Sequence, residues 1–161
     1  MSAIISECGK YRYLLTRDSE VAAPDRGTAL FLMLNPSTAD ATLDDPTIRR
    51  CRSFARAWGC AGLSVANLYA FRATRHADLW QADDPIGPDN DALLGRLAAE
   101  YGDIVCAWGA NAKTDRVLAV AETLINAGAR LWCFGTTKDG QPRHPLYVKG
   151  DTQLIPWSPK A

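Results

Sequence analysis

Short apolar runs alternate with amphipathic stretches along the chain. Leu30-Phe-Leu-Met-Leu34 is continuously apolar and stops abruptly at Asn35-Pro36-Ser37-Thr38, the pattern of a strand buried on both faces and ended by a loop. Leu63-Ser-Val-Ala-Asn-Leu68, Ile104-Val-Cys-Ala-Trp108 and Leu131-Trp-Cys-Phe134 read as three more strands. Tyr11 to Arg17 is too short for a stable helix and rich in aromatic residues, which favours a strand at a sheet edge.

Helices fill the spaces between. Asp45-Pro46 is a good helix start, because Asp accepts free amide protons and Pro at the first helical position sacrifices no hydrogen bond. The spacing predicts a helix to about Trp58, with Ile48, Cys51, Ala55 and Trp58 as its buried stripe, Arg49, Arg52 and Arg56 on another face, and Gly59 as its stop. After the Pro- and Gly-containing stretch from Asp84 to Asp91, Asp89 or Asn90 can cap a helix running to about Tyr101. A third helix runs from about Thr114 to Asn126 and ends at Gly128, while Phe71 to His76 reads as a polar connection.

Strands alternating with helices imply βαβ units and a parallel sheet. The expected architecture is therefore one α/β domain over residues 1–161, a three-layer α/β/α arrangement. Its central, mainly parallel sheet has four strands near residues 30–34, 63–68, 104–108 and 131–134, with an N-terminal edge strand or hairpin beside it. In such sheets the ligand crevice lies beyond the carboxyl ends of the strands. That rule collects the loops after Leu34, Leu68, Trp108 and Phe134 on one rim.

Composition adds limits. Hydrophobic residues are 47% of the chain and charged residues 22%, a globular balance that predicts a packed core. Lys plus Arg number 18 and Asp plus Glu 18, so no global positive field draws the chain to nucleic acid, and any such contact must be local. The 5 cysteines are widely spaced with no C-x-x-C pair and only 2 histidines to help, so they read as reduced thiols, with Cys51, Cys106 and Cys133 buried. No signal-peptide core or long apolar span is present, and the expected setting is the cytosol, away from membranes.

Candidate chemistry gathers in the strand-end loops. Asn35, Ser37, Thr38 and Asp40 follow a buried strand directly and could orient a water, or could simply satisfy backbone groups in a tight turn. Asn67 ends the second strand, where an amide offers a donor and an acceptor to the edge of a planar heterocycle, or a structural bond to a neighbouring loop. Arg72 and Arg75 could reach phosphate, or lie as unliganded surface arginines. His144, between Arg143 and Pro145, could donate to a developing anion or transfer a proton, or serve structure alone. His76 has the weaker claim.

Other chemistries are disfavoured. The chain has no G-x-G-x-x-G, G-x-x-x-x-G-K-[ST], G-x-S-x-G or H-E-x-x-H motif. Asp40, Asp44 and Asp45 could hold a divalent cation, but helix capping explains Asp44 and Asp45. Neither a metal nor a cofactor is expected. The tryptophans read as core rather than as base-stacking platforms.

Several segments in order resemble a bacterial domain family of unknown function, DUF1643. They are Met33-Leu-Asn-Pro-Ser-Thr-Ala-Asp40, Asp45-Pro-Thr-Ile-Arg-Arg50, Asn67-Leu-Tyr-Ala-Phe-Arg72, Asp84-Pro-Ile-Gly-Pro-Asp-Asn90 and Gly135 to Tyr147. A more distant resemblance is to the uracil-DNA glycosylase superfamily. Leu34-Asn35-Pro36 is similar to its catalytic Asn-Pro loop, Val65-Ala-Asn67 to its base-reading Asn segment, Ala107-Trp108-Gly109 to a strand-end motif between them, and His144-Pro145 to its late His-Pro motif. That resemblance implies cleavage of a base–sugar bond after base flipping, with Asn35 positioning water, Asn67 reading the base and His144 stabilising the departing anion. Pro36, Ser37, Arg72 and Arg143 would complete the ligand contacts. Arg143-His-Pro-Leu-Tyr147 departs from the family in lacking a Ser-Pro-Leu-Ser continuation. Two readings stay open: a glycosylase-like enzyme acting on a nucleobase in nucleic acid or in a free nucleotide, and a noncatalytic module binding nucleotide, nucleic acid or protein.

Overall fold

The structure is a computed structural model that describes residues 1–160. Its centre is a mixed sheet of 7 strands in the order β1-β2-β4-β3-β5-β6-β7. In chain order the elements are β1 (Ser2–Ile5), β2 (Arg12–Asp18), β3 (Ala29–Met33), α1 (Pro46–Ala57), β4 (Gly62–Asn67), α2 (His76–Leu79), α3 (Asn90–Tyr101), β5 (Asp103–Cys106), α4 (Thr114–Asn126), β6 (Arg130–Cys133) and β7 (Ile155–Pro156). A single 3-10 turn, Pro145–Tyr147, lies between β6 and β7.

The four expected strands are β3, β4, β5 and β6, and they pair in parallel as β4-β3-β5-β6. The sheet is larger than four strands because antiparallel strands extend both sides. The aromatic N-terminal strand, β2, pairs with β4 on one side and β1 on the other, so the edge position belongs to β1. The two-residue β7 pairs with β6. β1 alternates between exposed and partly covered positions and β7 is exposed, so neither carries a buried apolar run.

Alternation along the buried strands sends side chains to two cores. Leu30 and Leu32 of β3 and Ile104 and Cys106 of β5 pack with Leu94 and Leu97 of α3 and Val117 and Leu124 of α4. Phe31 and Met33, with Leu63 and Val65 of β4, pack on the other face with Ile48, Cys51 and Phe54 of α1. Helices therefore cover both faces.

The Asp45 side chain caps α1 by accepting from the Ile48 amide at 2.9 Å, and Gly59 follows at φ +75°. The stripe of α1 includes Phe54, which the spacing rule passed over, whereas Trp58 is only partly buried. The Phe54 and Phe134 rings meet at 4.4 Å between centroids, and Trp58 covers them from outside at 5.6 Å from Phe54. Neither Asp89 nor Asn90 caps α3 through its side chain. Asn90 is buried and donates instead to the carbonyls of Asn67 at 3.0 Å and Leu68 at 3.2 Å. The polar connection after β4 holds the short helix α2. No helix among the described residues is long and apolar enough to cross a membrane.

Candidate functional site

A cleft of about 630 Å³ opens at the carboxyl ends of the parallel strands. Strand register dictates what meets there. Met33 pairs with Asn67, so β3 and β4 end level, and their loops continue side by side through Leu68 N–H to Met33 O and Tyr69 N–H to Leu34 O. On the other flank of β3, Ala107 N–H donates to Leu32 O, which carries Trp108 and Gly109 to the same rim. Gly109 N–H donates to Pro142 O, and Trp108 Nε1 donates to Gln141 Oε1 at 2.9 Å, so the loop after β6 is tied down beside them. Arg50 of α1 holds that loop from below, donating to the carbonyls of Pro145 and Val148.

Asn35, Ser37, Asn67, Arg143 and His144 all line this one cleft. Pro36 and Arg72 do not. Pro36 is buried and its carbonyl serves the loop, accepting from Asn35 Nδ2 and Ala73 N–H. Arg72 is half-buried and does not line the cleft, although its neighbours Ala73 and Thr74 do.

Asn35 has its orientation fixed. Its Nδ2 donates to the carbonyls of Ala73 at 2.8 Å and Pro36 at 2.9 Å, with a longer contact to Phe71 at 3.4 Å. Carbonyls only accept, so the nitrogen must face them and Oδ1 is left as an uncommitted acceptor.

Asn67 is the reverse case. It is 1% exposed, lines the cleft, and neither its Nδ2 nor its Oδ1 has a hydrogen-bond partner among the described residues. An unsatisfied buried amide costs on the order of 1–3 kcal/mol per polar group. No hydrogen bond among the described residues fixes which way its donor and acceptor point.

His144 is half-buried, and its Nδ1 accepts from the Leu146 amide at 3.2 Å. An accepting Nδ1 carries no proton, so neutral His144 holds its proton on Nε2. Burial lowers its pKa, with the charge of Asp45 acting weakly in the opposite direction. At neutral pH the ring is therefore an uncharged donor. Leu146 and Tyr147 stand at the mouth, Tyr147 at 79% exposure, as an apolar and aromatic lip.

The structure adds residues that the sequence reading did not place here. Arg12 enters from β2, Asp45 and Thr47 from the start of α1, and His76 from α2. Asp45 is the one carboxylate lining the cleft among the described residues, with one oxygen on the Ile48 amide. The three acids considered for a cation do not converge. Asp40 accepts from the amides of Thr42 and Leu43, Asp44 sits between Arg17 and Arg52, and Asp45 caps α1. No group of three metal-binding side chains occurs among the described residues. A charged residue inside a strand, Tyr11-Arg12-Tyr13, is the signal that would have drawn attention to Arg12.

Among curated proteins and among solved structures, none matches this chain. The family described as a protein of unknown function (DUF1643) matches residues 12–146, the greater part of the chain, which therefore belongs to that family.

Proposed function

We propose that the chain is a nucleobase-recognising hydrolase that cleaves an N-glycosidic bond in nucleic acid or nucleotide, in the manner of the uracil-DNA glycosylase superfamily. The observation that carries this reading is Asn67, whose buried amide lines the cleft with two N–H donors and two acceptor lone pairs that no described residue engages. The edge of a pyrimidine or purine presents the complementary pair. Four parallel strands with polar loops at their carboxyl ends support the likeness to that superfamily, and the free thiols suit a reducing cytosol.

In this mechanism a water oxygen bonds to the sugar C1′ as the C1′–N bond breaks, and the bonding pair leaves with the base. Asn35 Oδ1 accepts a hydrogen bond from the water and aims it. An amide is too weak a base to keep the proton, which passes to the Asp45 carboxylate. His144 Nε2–H donates to the base oxygen where negative charge develops, a contribution worth about 10²-fold in rate or more. The base later takes a proton from solvent. Ser37 and Arg143 contact the remainder of the ligand.

The second reading, a noncatalytic binding module, draws on Asn35, whose nitrogen is wholly engaged by backbone carbonyls. One screen separates the two. Strand cleavage at abasic sites is measured on oligonucleotides carrying uracil, hypoxanthine or mismatches, with Asn35→Ala as control. Release that falls at least tenfold in the variant supports the hydrolase, binding without release supports the module, and neither result on any substrate counts against both.

A further inference from the structure

We propose that the cleft contains a phosphate subsite centred on Arg12, so that its ligand is a phosphate ester of a nucleoside rather than a bare base or nucleoside. The ligand's identity rests on the nucleobase reading above; the subsite itself stands on Arg12.

Arg12 is 2% exposed and lines the cleft at the start of β2. Its Nη1 donates to the Ala39 carbonyl at 2.7 Å. Its Nε is buried without a partner, and its Nη2 makes no hydrogen bond among the described residues. The side of the guanidinium formed by Nε and Nη2 is thus unused, and that side carries two parallel N–H groups with the spacing of two phosphate oxygens.

The other buried arginines are treated differently. Arg17 pairs with Asp44 at 2.6 Å, and Arg116 with Asp91 at 2.7 Å. Arg12 has no ion pair among the described residues. Burial is the largest influence on it and lowers its pKa to about 10, Asp45 acts in the opposite direction, and the like charges of Arg72 and Arg17 lower it further. The group is still charged at neutral pH. Asp45 and Asp40 act on Arg12 only through space, and a buried cation with no directly paired anion is a costly arrangement that a bound anion relieves.

The surroundings suit a phosphate. Arg72 is near enough to repel Arg12 electrostatically, and its guanidinium also makes no ion pair among the described residues. Ser37 and Thr47 contribute hydroxyls to the same cleft, while the Asp45 carboxylate stays on the Ile48 amide as the cap of α1. The net charge of zero means that no global positive field draws the chain to a long phosphate backbone.

The test measures thermal protection of the full chain at constant ionic strength by inorganic phosphate, deoxyuridine, deoxyuridine 5′-monophosphate and a single-stranded oligonucleotide containing uracil. Inorganic phosphate is expected to protect wild type and Asn67→Ala alike, with an apparent affinity at least tenfold weaker in Arg12→Met. In the wild-type chain, phosphate must also shift the Arg12 Nε–H resonance in a 15N-correlated spectrum, a readout independent of whether the variant folds. Equal protection of Arg12→Met, or an Nε–H signal that phosphate leaves in place, overturns the subsite. Arg12-dependent phosphate binding with no gain from an attached base keeps the subsite and rejects the nucleobase reading. Comparison of the monophosphate with the oligonucleotide tells a free nucleotide from a nucleic-acid strand as the source of the phosphate.

Discussion

The Nδ2 of Asn90 donates to the main-chain carbonyl of Asn67 at 3.0 Å, while the side chain of Asn67 has no hydrogen-bond partner among the described residues. One buried amide clamps the end of β4 so that another can be presented to the cleft. The two substitutions should therefore act oppositely. Asn90→Ala removes bonds to two carbonyls and should cost about 1–3 kcal/mol. Asn67→Leu replaces an unsatisfied amide by an apolar group of similar size and should leave stability unchanged or raise it, while abolishing nucleobase binding. Thermal melts of both variants check this, at about 2–4 °C per kcal/mol for a chain of this size.

Gly109 adopts φ +78°, and a Cβ there would come 3.5 Å from the Cβ of His144. That distance is ordinary contact, so the difficulty is conformational. Gly109→Ala should cost about 1–2 kcal/mol through the left-handed backbone. It should also weaken base release more than its stability loss explains, because alanine relaxing away from that φ moves the N–H that anchors the loop at Pro142. Kinetics measured well below the variant's melting temperature separate the two effects.

The pH dependence follows from His144. Burial places its folded pKa below the ordinary 6.5, so between those two values the unfolded chain holds more protons than the folded one. Stability should fall as pH drops from about 6.5 through the folded pKa, and be unaffected by this group above 6.5. In His144→Gln that acid-side increment should disappear. Base release should be flat through neutral pH and decline on the acid side, where the ring becomes charged and loses its acceptor bond from Leu146.

Thiol labelling gives an independent check of the core. Cys51, Cys60, Cys106 and Cys133 are buried and Cys8 is exposed. Burial pushes the thiols of Cys51 and Cys106 up, while a hydrogen bond from Ser6 lowers that of Cys8. A native sample should release one equivalent of colour rapidly with an aromatic disulfide reagent, and the other four only on unfolding. Cys8→Ser should remove the fast phase.

Much of the site was legible because parallel strands obey a geometric rule. Asn35, Asn67 and His144 lie far apart in sequence, yet each follows the carboxyl end of a strand that its apolar run identifies, and such ends share one edge. The rule says nothing about antiparallel strands, which is why Arg12 on β2 escaped notice. It also cannot tell which way a loop residue turns, and Arg72, expected at or near the rim, does not line the cleft. Asn90 looked like a helix cap because capping is local, whereas its bonds to Asn67 and Leu68 depend on tertiary packing. The strands β1 and β7 carry little apolar signal because they are short and largely open to solvent.

The central claim is that the Asn67 amide recognises a nucleobase. Its most direct measurement is the side-chain NH2 resonance of Asn67 in a 15N-correlated spectrum, assigned by its disappearance in Asn67→Leu, during titration with uracil, hypoxanthine and guanine. One base is expected to shift and sharpen this signal by hydrogen-bonding an amide that no described residue partners. An Asn67 signal unmoved by every base, while other groups lining the cleft respond, would contradict it.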